Sequence, residues 1–208
     1  MWLLDFIAPH YCAFCGVASE GEERSICVGC RDDLPWAEPP VSPLPTLFKC
    51  LISMLEYEFP VDVAIKAMKF NRKVFYVPAF AEILCSASQL LPADIDAVVP
   101  VPLHWRRKAS RGFNQASEIA KPLARKLKVP VLRCVRRHKA TPFQSGLGAT
   151  ERAKNLRLAF QVKKPLSYKH VLLVDDVITT GATLTELARI LRGSGIEEVS
   201  ALTIARAS

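Results

Sequence analysis

The stretch VLLVDDVITTGAT, residues 171–183, constrains the fold of this chain more than any other. Its four leading apolar residues predict a buried strand that stops at Asp175 and Asp176, and threonines surround Gly181. A loop that leads from a strand into a helix presents backbone N–H groups that bind phosphate. Carboxylates repel phosphate but bind hydroxyl groups or Mg²⁺. The stretch therefore predicts a strand–loop–helix unit whose ligand carries both a sugar and a phosphate.

Apolar residues elsewhere alternate between strand and helix periods, which predicts an α/β fold. AVVPVPL, PVLRCVRR and VSALTIARA are predicted as further strands, and helices are predicted over 61–68, 80–87, 116–127 and 184–191. Asn114 is predicted to be the N-cap of the third helix. Strand–helix alternation implies a parallel sheet covered by helices, with ligands at the carboxyl ends of the strands. A Walker loop and a dinucleotide fingerprint are excluded, because residues 175–183 contain a single glycine.

Four cysteines near the amino end have the spacing of a zinc site. Two C-x-x-C pairs occur in CAFCGVASEGEERSICVGC, and they consist of Cys12, Cys15, Cys27 and Cys30. Four thiolates at this spacing can surround Zn²⁺, and a site with all four positions filled by protein is structural. A segment this short buries little apolar surface, so metal binding would supply its stability. A redox dithiol is the alternative.

A proline-rich stretch divides the chain. LPWAEPPVSPLP holds five prolines between residues 35 and 45, which predicts a stiff linker. We therefore expect a zinc ribbon with its linker over 1–45 and the α/β domain over 46–208. The start, MWLLDFIAP, lacks a basic leader and is too short for a signal peptide. Because no apolar run has the length of a membrane span, a cytoplasmic location without membrane insertion is expected.

Acidic and basic residues are concentrated in different parts of the chain. Residues 1–60 contain 3 Lys/Arg and 9 Asp/Glu, whereas residues 104–164 contain 17 Lys/Arg and 2 Asp/Glu. Such segregation indicates a phosphate or polyanion partner for the second part of the chain, although a solubilising surface would give the same pattern.

VLLVDDVITTGAT resembles the signature with which type I phosphoribosyltransferases bind phosphoribosyl pyrophosphate (PRPP). In that family the acid pair binds the ribose hydroxyls and the threonine–glycine loop binds the 5-phosphate, with Mg²⁺ accompanying PRPP. The resemblance assigns Asp175 and Asp176 to the ribose. It assigns the loop to the phosphate, through Thr179, Thr180, Gly181, Ala182 and Thr183. It also implies the type I phosphoribosyltransferase fold for 46–208.

Further segments narrow the resemblance to one group. VPVPLHWRRKASRGFNQA, the run that begins TPFQSGLGAT, and the four-cysteine ribbon together resemble the ComF/GntX group of competence-associated proteins. Residues 46–75 match more loosely, through Tyr57 and the pair Lys69 and Phe70. The group is linked to DNA uptake during natural competence and transformation.

The resemblance implies roles for two basic segments. PLHWRRKASRGFNQ stands where the family places its pyrophosphate loop, and its cations are Arg106, Arg107, Lys108 and Arg111. These residues would neutralise pyrophosphate, or equally contact nucleic-acid phosphates. Residues 138–160 stand in the place of the family's mobile hood, where Arg152 and Lys154 would close over a diphosphate. An exposed charged helix is the alternative for that pair.

Three functions remain open. The main hypothesis is a PRPP-binding, phosphoribosyltransferase-like protein of DNA uptake, in which binding does not require turnover. The second is an active phosphoribosyltransferase of nucleotide or amine metabolism. Its acceptor and catalytic residues are unknown, and the candidates are Asp175, Asp176, Arg152 and Lys154. The third is a single-stranded DNA-binding module with Trp105, Phe113 and Phe143 as stacking surfaces. The acidic ribbon favours a protein partner such as a competence helicase or related machinery.

Overall fold

A computed structural model describes residues 10–19, 25–38, 47–103, 112–137, 160–162 and 166–207 of the chain. In these ranges no helix is long and apolar enough to cross a membrane.

A four-stranded parallel sheet forms the centre of the fold. Its strands are β1 (Leu51–Glu56), β2 (Ala97–Pro100), β5 (His170–Ile178) and β6 (Glu198–Arg206), in the order β1-β6-β5-β2. The first strand pairs with the last in parallel register, Leu51 opposite Ala201 and Glu56 opposite Arg206. The predicted parallel α/β sheet is confirmed, and its two longest strands are those that the sequence marks by long apolar runs.

Helices cover both faces of the sheet. A short helix, α1 (Val28–Asp32), lies in the cysteine segment, and the helices on the sheet are α2 (Val61–Phe70), α3 (Tyr76–Ser86), α4 (Gln115–Leu127) and α5 (Ala182–Arg192), with a 3₁₀ turn at Ala87–Gln89. Alternate residues of β5 enter two separate cores, because successive side chains of a strand point to opposite faces. Leu172 and Val174 pack with α2, α3 and α4 on one face. Val171 and Leu173 pack with α5 on the other.

The structure differs from the sequence prediction at three elements. The sequence does not predict a strand over β1, whose residues LISMLE include only Ile52 as a β-branched side chain. The start of PVLRCVRR makes only an isolated parallel bridge, Val131 with Val98 of β2, and its end forms a short strand, β3 (Val135–Arg137), which pairs antiparallel with β4 (Phe160–Val162) outside the main sheet. Asn114 stands at the N-cap of α4 but its side chain makes no capping bond; its Nδ2 donates instead to the carbonyl of Val101, at 3.0 Å.

The cysteine segment, residues 10–19 and 25–38 with the start of the linker, packs directly on the α/β domain. Trp36 bridges to Leu55, and the backbone N–H of Ala37 donates to the carbonyl of Met54 at 3.0 Å. This pairing covers the outer edge of β1, which would otherwise expose unpaired backbone groups. The Phe14 ring contacts Tyr76 and Phe80 of α3, with centroids 5.8 and 6.3 Å apart. Part of the predicted linker is therefore paired with the sheet, while the division at residue 45 stays a prediction.

Candidate functional site

The acid pair lies inside strand β5 rather than beyond its end. The strand continues through Asp175 and Asp176 to Ile178, so the prediction that it stops at the acids is wrong. The reason is the pairing with β6, in which Asp175 lies opposite Thr203 and Ile178 opposite Arg206. Because successive side chains of a strand point to opposite faces, the two carboxylates face different sets of neighbours.

Asp176 faces helix α2 and forms an ion pair there. Its Oδ1 lies 2.7 Å from the Nζ of Lys69, and both side chains are largely buried. The pair neutralises a carboxylate that would be costly to bury alone. The sequence marks Lys69 only as part of a loosely matching pair, because a lysine near the end of a helix is ordinarily a solvated residue.

Asp175 faces the side of the sheet that carries β3. Burial of its carboxyl, followed by the charge of Asp176, raises the pKa of Asp175 to about 7, against the lowering effect of Lys69 and Arg137. The Arg137 guanidinium also lies over the Phe160 ring, 5.3 Å from its centroid. Near neutral pH the acid pair therefore carries less than two negative charges, and Asp175 can either accept or donate a hydrogen bond.

The phosphate loop predicted after the acids is short and leads directly into helix α5. It consists of Thr179 and Thr180, which are exposed, and Gly181, whose φ of 69° lies in the left-handed region. A side chain at that φ is strained, so glycine is the residue that allows this turn. The hydroxyl of Thr180 accepts a long bond of 3.5 Å from the N–H of Ala182. The first N–H groups of an eleven-residue helix thus lie beside exposed hydroxyls.

All seven residues predicted to contact PRPP are brought together at one edge of the sheet. The strand β5, the loop and the start of α5 carry Asp175, Asp176, Thr179, Thr180, Gly181, Ala182 and Thr183. The carboxylates and the helix N-terminus are separated by only the last residues of the strand. This arrangement can bind hydroxyl groups at one end of a ligand and an anion at the other.

The basic residues predicted for pyrophosphate, nucleic acid or catalysis lie outside the described residues. They are Arg106, Arg107, Lys108, Arg111, Arg152 and Lys154, and Trp105 and Phe143 lie outside as well. The bond from Asn114 to Val101 joins the two described flanks of 104–111 at the carboxyl edge of β2. Phe113 is partly buried against the core, so the hypothesis that it stacks on DNA bases is not supported by its placement.

The four cysteines predicted to bind zinc converge in space. Their sulfur atoms all lie within 4.8 Å of one another. The Sγ atoms of Cys15 and Cys27 are 3.6 Å apart, close to the separation of about 3.8 Å that a tetrahedral zinc–thiolate site requires. Burial and the neighbouring thiols raise the pKa of Cys30, whereas backbone hydrogen bonds, the largest from Cys27, lower the pKa of Cys12 to about 6 against the effect of burial. The donor set therefore fits a structural Zn²⁺ held by all four thiolates.

Comparison with known proteins finds a family model and relatives that match most of the chain. Residues 92–208 match the family model described as a phosphoribosyl transferase domain. The chain is 39% identical to competence protein F of Haemophilus influenzae over 73% of this chain and 70% of that protein. It is 30% identical to the DNA utilization protein YhgH of Escherichia coli K12, over 94% of this chain and 89% of that protein. It is also 30% identical to competence protein ComFC of Bacillus subtilis, over 96% and 79% of the two chains.

Solved structures of similar proteins include phosphoribosyltransferases. The orotate phosphoribosyltransferase of Aeropyrum pernix is 21% identical, with a TM-score of 0.40 over 66% of this chain and 63% of that chain. The adenine phosphoribosyltransferase of Leishmania tarentolae is 13% identical, with a TM-score of 0.44 over 80% and 94% of the two chains. With the family match over 92–208 and relatives that span most of its length, the chain belongs to the phosphoribosyl transferase domain family and, within it, to the competence-associated ComF group.

Proposed function

We propose that the chain binds PRPP at the carboxyl edge of its sheet and takes part in the uptake or use of DNA. PRPP binding is supported by the position of the acid pair and the loop on one continuous segment, from β5 to the N-terminus of α5. A ribose hydroxyl donates to the carboxylate of Asp176, and the 5-phosphate accepts from the loop N–H groups and the threonine hydroxyls. Lys69 holds the Asp176 carboxylate in place.

Mg²⁺ is proposed to accompany PRPP, because carboxylate and phosphate oxygens are the ligands it prefers. It would supply charge neutralisation for the pyrophosphate. Asp175 and Asp176 are the described residues that would hold it. The cations at 106–111 remain proposed contacts of the pyrophosphate.

Zn²⁺ is proposed to occupy the four-cysteine cluster, where it would supply structure rather than catalysis. The cluster is joined to the α/β domain by the Phe14 ring and by Glu82 of α3, which accepts from the N–H of Ser25 at 3.0 Å. Metal analysis of protein purified without chelator should find about one tightly held zinc per chain. Protein that is folded and contains none would contradict this assignment.

The proposed partner in DNA uptake is single-stranded DNA. Helix α2 and the residues that flank it carry three exposed aromatic side chains, Phe59, Phe70 and Phe75. Exposed cations lie between them at Arg72 and Lys73, and at Lys66, whose ammonium pairs with Asp62 at 2.6 Å. Aromatic rings that alternate with cations are typical of surfaces that bind single strands, where bases stack on the rings and phosphates contact the cations. A competence helicase or related protein is the proposed protein partner of the acidic ribbon.

Turnover is a second candidate function. In that case ribose C1 would lose pyrophosphate and be captured by a nitrogen nucleophile, with Asp175, Asp176, Arg152 and Lys154 as catalytic candidates. Such a transfer depends on positioning and on charge stabilisation, which the edge of the sheet can supply. The relatives that are named for competence and DNA utilisation favour a role in the uptake or use of DNA as the main function.

One experiment separates the two functions. PRPP with Mg²⁺ and a single-stranded oligonucleotide are titrated into the protein separately and together, and released pyrophosphate is measured. We expect saturable PRPP binding, with DNA binding that weakens steeply as salt increases. Turnover with an added amine or base would establish the transferase function. A folded protein that binds no PRPP would contradict the proposal as a whole.

A further inference from the structure

A second cluster of ionisable side chains lies at the amino edge of the sheet. His170 is the first residue of β5, Glu198 is the first residue of β6, and Asp94 precedes β2. The Nδ1 of His170 lies 3.2 Å from Asp94 Oδ1 and 3.6 Å from Glu198 Oε2. From His170 to Asp176 the strand extends about 20 Å, so this cluster is separate from the acid pair.

His170 is held with one ring nitrogen aimed into this cluster. Its side chain is only 2% exposed, and its Nε2 lies 2.9 Å from the hydroxyl of the buried Ser200. Its Nδ1 is buried and makes no hydrogen bond within the described part of the chain. In the tautomer that donates Nε2–H to Ser200, Nδ1 presents a lone pair towards the two carboxylates. Three electron-rich atoms then converge, an arrangement that favours a cation between them.

Backbone hydrogen bonds fix the three segments that carry these side chains. The N–H of Asp96 donates to the carbonyl of His170 at 3.0 Å, and the Asp96 carboxylate accepts from the N–H of Lys169 at 2.7 Å. The N–H of Glu198 donates to the carbonyl of Lys169 at 2.8 Å. The cluster is therefore built on the ends of strands rather than on independent loops, as a pre-organised ligand set requires.

We propose that His170, Asp94 and Glu198 form a binding site for a divalent transition metal, with Zn²⁺ as the ion that fits best. One imidazole nitrogen and two carboxylate oxygens suit Zn²⁺ better than Mg²⁺, which rarely takes nitrogen ligands. Zinc bonds of about 2.1 Å in tetrahedral geometry place neighbouring ligand atoms about 3.4 Å apart. The two separations from Nδ1, 3.2 and 3.6 Å, lie on either side of that value.

Lys49 is the competitor for this site. Its ammonium lies 2.7 Å from Asp94 Oδ2 and 2.5 Å from Glu198 Oε2, so it bridges the same two carboxylates. A metal ion and this ammonium cannot share the position, because two cations would repel at contact distance. The Lys49 side chain is 37% exposed and can turn into solvent when the metal binds. The zinc affinity therefore depends on how readily Zn²⁺ displaces the Lys49 ammonium from the two carboxylates.

If Lys49 competes with the metal, its removal should strengthen zinc binding, whereas an ion pair with a purely structural role predicts no such gain. Removing the ammonium by Lys49→Gln should tighten zinc binding by about tenfold or more, because two carboxylates and an imidazole then remain without a resident cation. Asp94→Asn and Glu198→Gln should each weaken binding by at least about tenfold. Glu197→Gln is the matched control, since Glu197 is an exposed acid beside Glu198 that does not belong to the cluster.

The experiment is a calorimetric titration with ZnCl₂ of the full chain as purified. An Asp175→Asn, Asp176→Asn background removes the acid pair as an alternative site. We expect one further zinc per chain beyond that held by the cysteines, and a shifted side-chain ¹⁵N resonance for one of the four histidines. Three results would each overturn the proposal: no further zinc bound, equal affinity in Asp94→Asn and Glu197→Gln, or no gain of affinity in Lys49→Gln. Unfolding curves identify any variant that fails to fold. In the variants that do fold, a shift of the His170 resonance on addition of zinc shows whether the metal binds at this cluster.

Discussion

A lysine pairs with carboxylates at each edge of the parallel sheet, but the carboxylates are buried at one edge and partly exposed at the other. At the carboxyl edge Lys69 pairs with a largely buried Asp176, and the neighbouring Asp175 has its pKa raised to about 7, chiefly by burial. At the amino edge Lys49 bridges two half-exposed acids, and its hydrogen bond is the main reason that the pKa of Asp94 is lowered to about 2. Burial dominates at one edge and charge pairing at the other.

The difference has a consequence for stability against pH. A carboxyl with a raised pKa binds its proton more tightly in the folded state, so it stabilises the fold at low pH and loses that contribution as pH rises. A carboxyl with a lowered pKa stabilises the fold above its unfolded pKa and loses that contribution as pH falls. The two edges should therefore respond to pH with opposite signs.

Asp175→Asn should change this pH dependence more than any other substitution. With a folded pKa of about 7 and an ordinary value of 3.8, Asp175 lowers the free energy of unfolding as pH rises from about 4 to 7. The limit is about 4 kcal/mol at 1.36 kcal/mol per pKa unit. Urea unfolding between pH 4 and 8 should show that the free energy of unfolding of the wild type declines as pH rises. Asp175→Asn should remove this decline, and the control Asp32→Asn should retain it. An unchanged decline in Asp175→Asn would contradict the contrast between the edges.

The next effect comes from removing each lysine. Lys69→Met leaves the Asp176 carboxylate buried without its partner, which should cost about 3 kcal/mol of unfolding free energy at pH 8. Lys49→Met, measured in the same zinc-free buffer, should cost less, because water can solvate the carboxylates of Asp94 and Glu198. Equal losses from the two substitutions would show that burial does not separate the edges.

The smallest expected effect concerns the loop. Gly181→Ala places a side chain at a φ of 69°, which should cost about 1 kcal/mol of stability and weaken PRPP binding by displacing the loop N–H groups. Gly193→Ala, at the other end of α5, is the matched control because Gly193 has a φ of −64°. Calorimetric titration with PRPP compares the two. Equal PRPP affinity in both variants would remove the loop from the phosphate site.

The carboxyl edge could be predicted from the sequence because its residues are neighbours in the chain. VLLVDDVITTGAT carries the acids and the loop on consecutive positions, so the local order of the chain already places them together. The four cysteines were predictable for the same reason. Helical spacing likewise marks α2, α3, α4 and α5, because each buries one face.

The amino edge could not be predicted, because Lys49, Asp94, His170 and Glu198 are brought together only by the strand order. The ion pair of Lys69 could not be predicted for a similar reason, since its partner lies more than a hundred positions away. The residues of strand β1 have weak strand propensity and are stabilised by pairing with β6 and by the cysteine segment. Each of these features is formed by contacts between distant segments, which the local sequence pattern does not reveal.

Whether Asp175 and Asp176 bind PRPP together with the following loop can be decided by a single calorimetric experiment. Mg²⁺-PRPP is titrated calorimetrically into the wild type, into Asp175→Asn with Asp176→Asn, and into Asp32→Asn with Asp33→Asn, an exposed acid pair in the cysteine segment. We predict saturable binding to the wild type and the control, and a loss of about a hundredfold or more in the acid-pair variant. Equal PRPP affinity in all three folded proteins would contradict the claim.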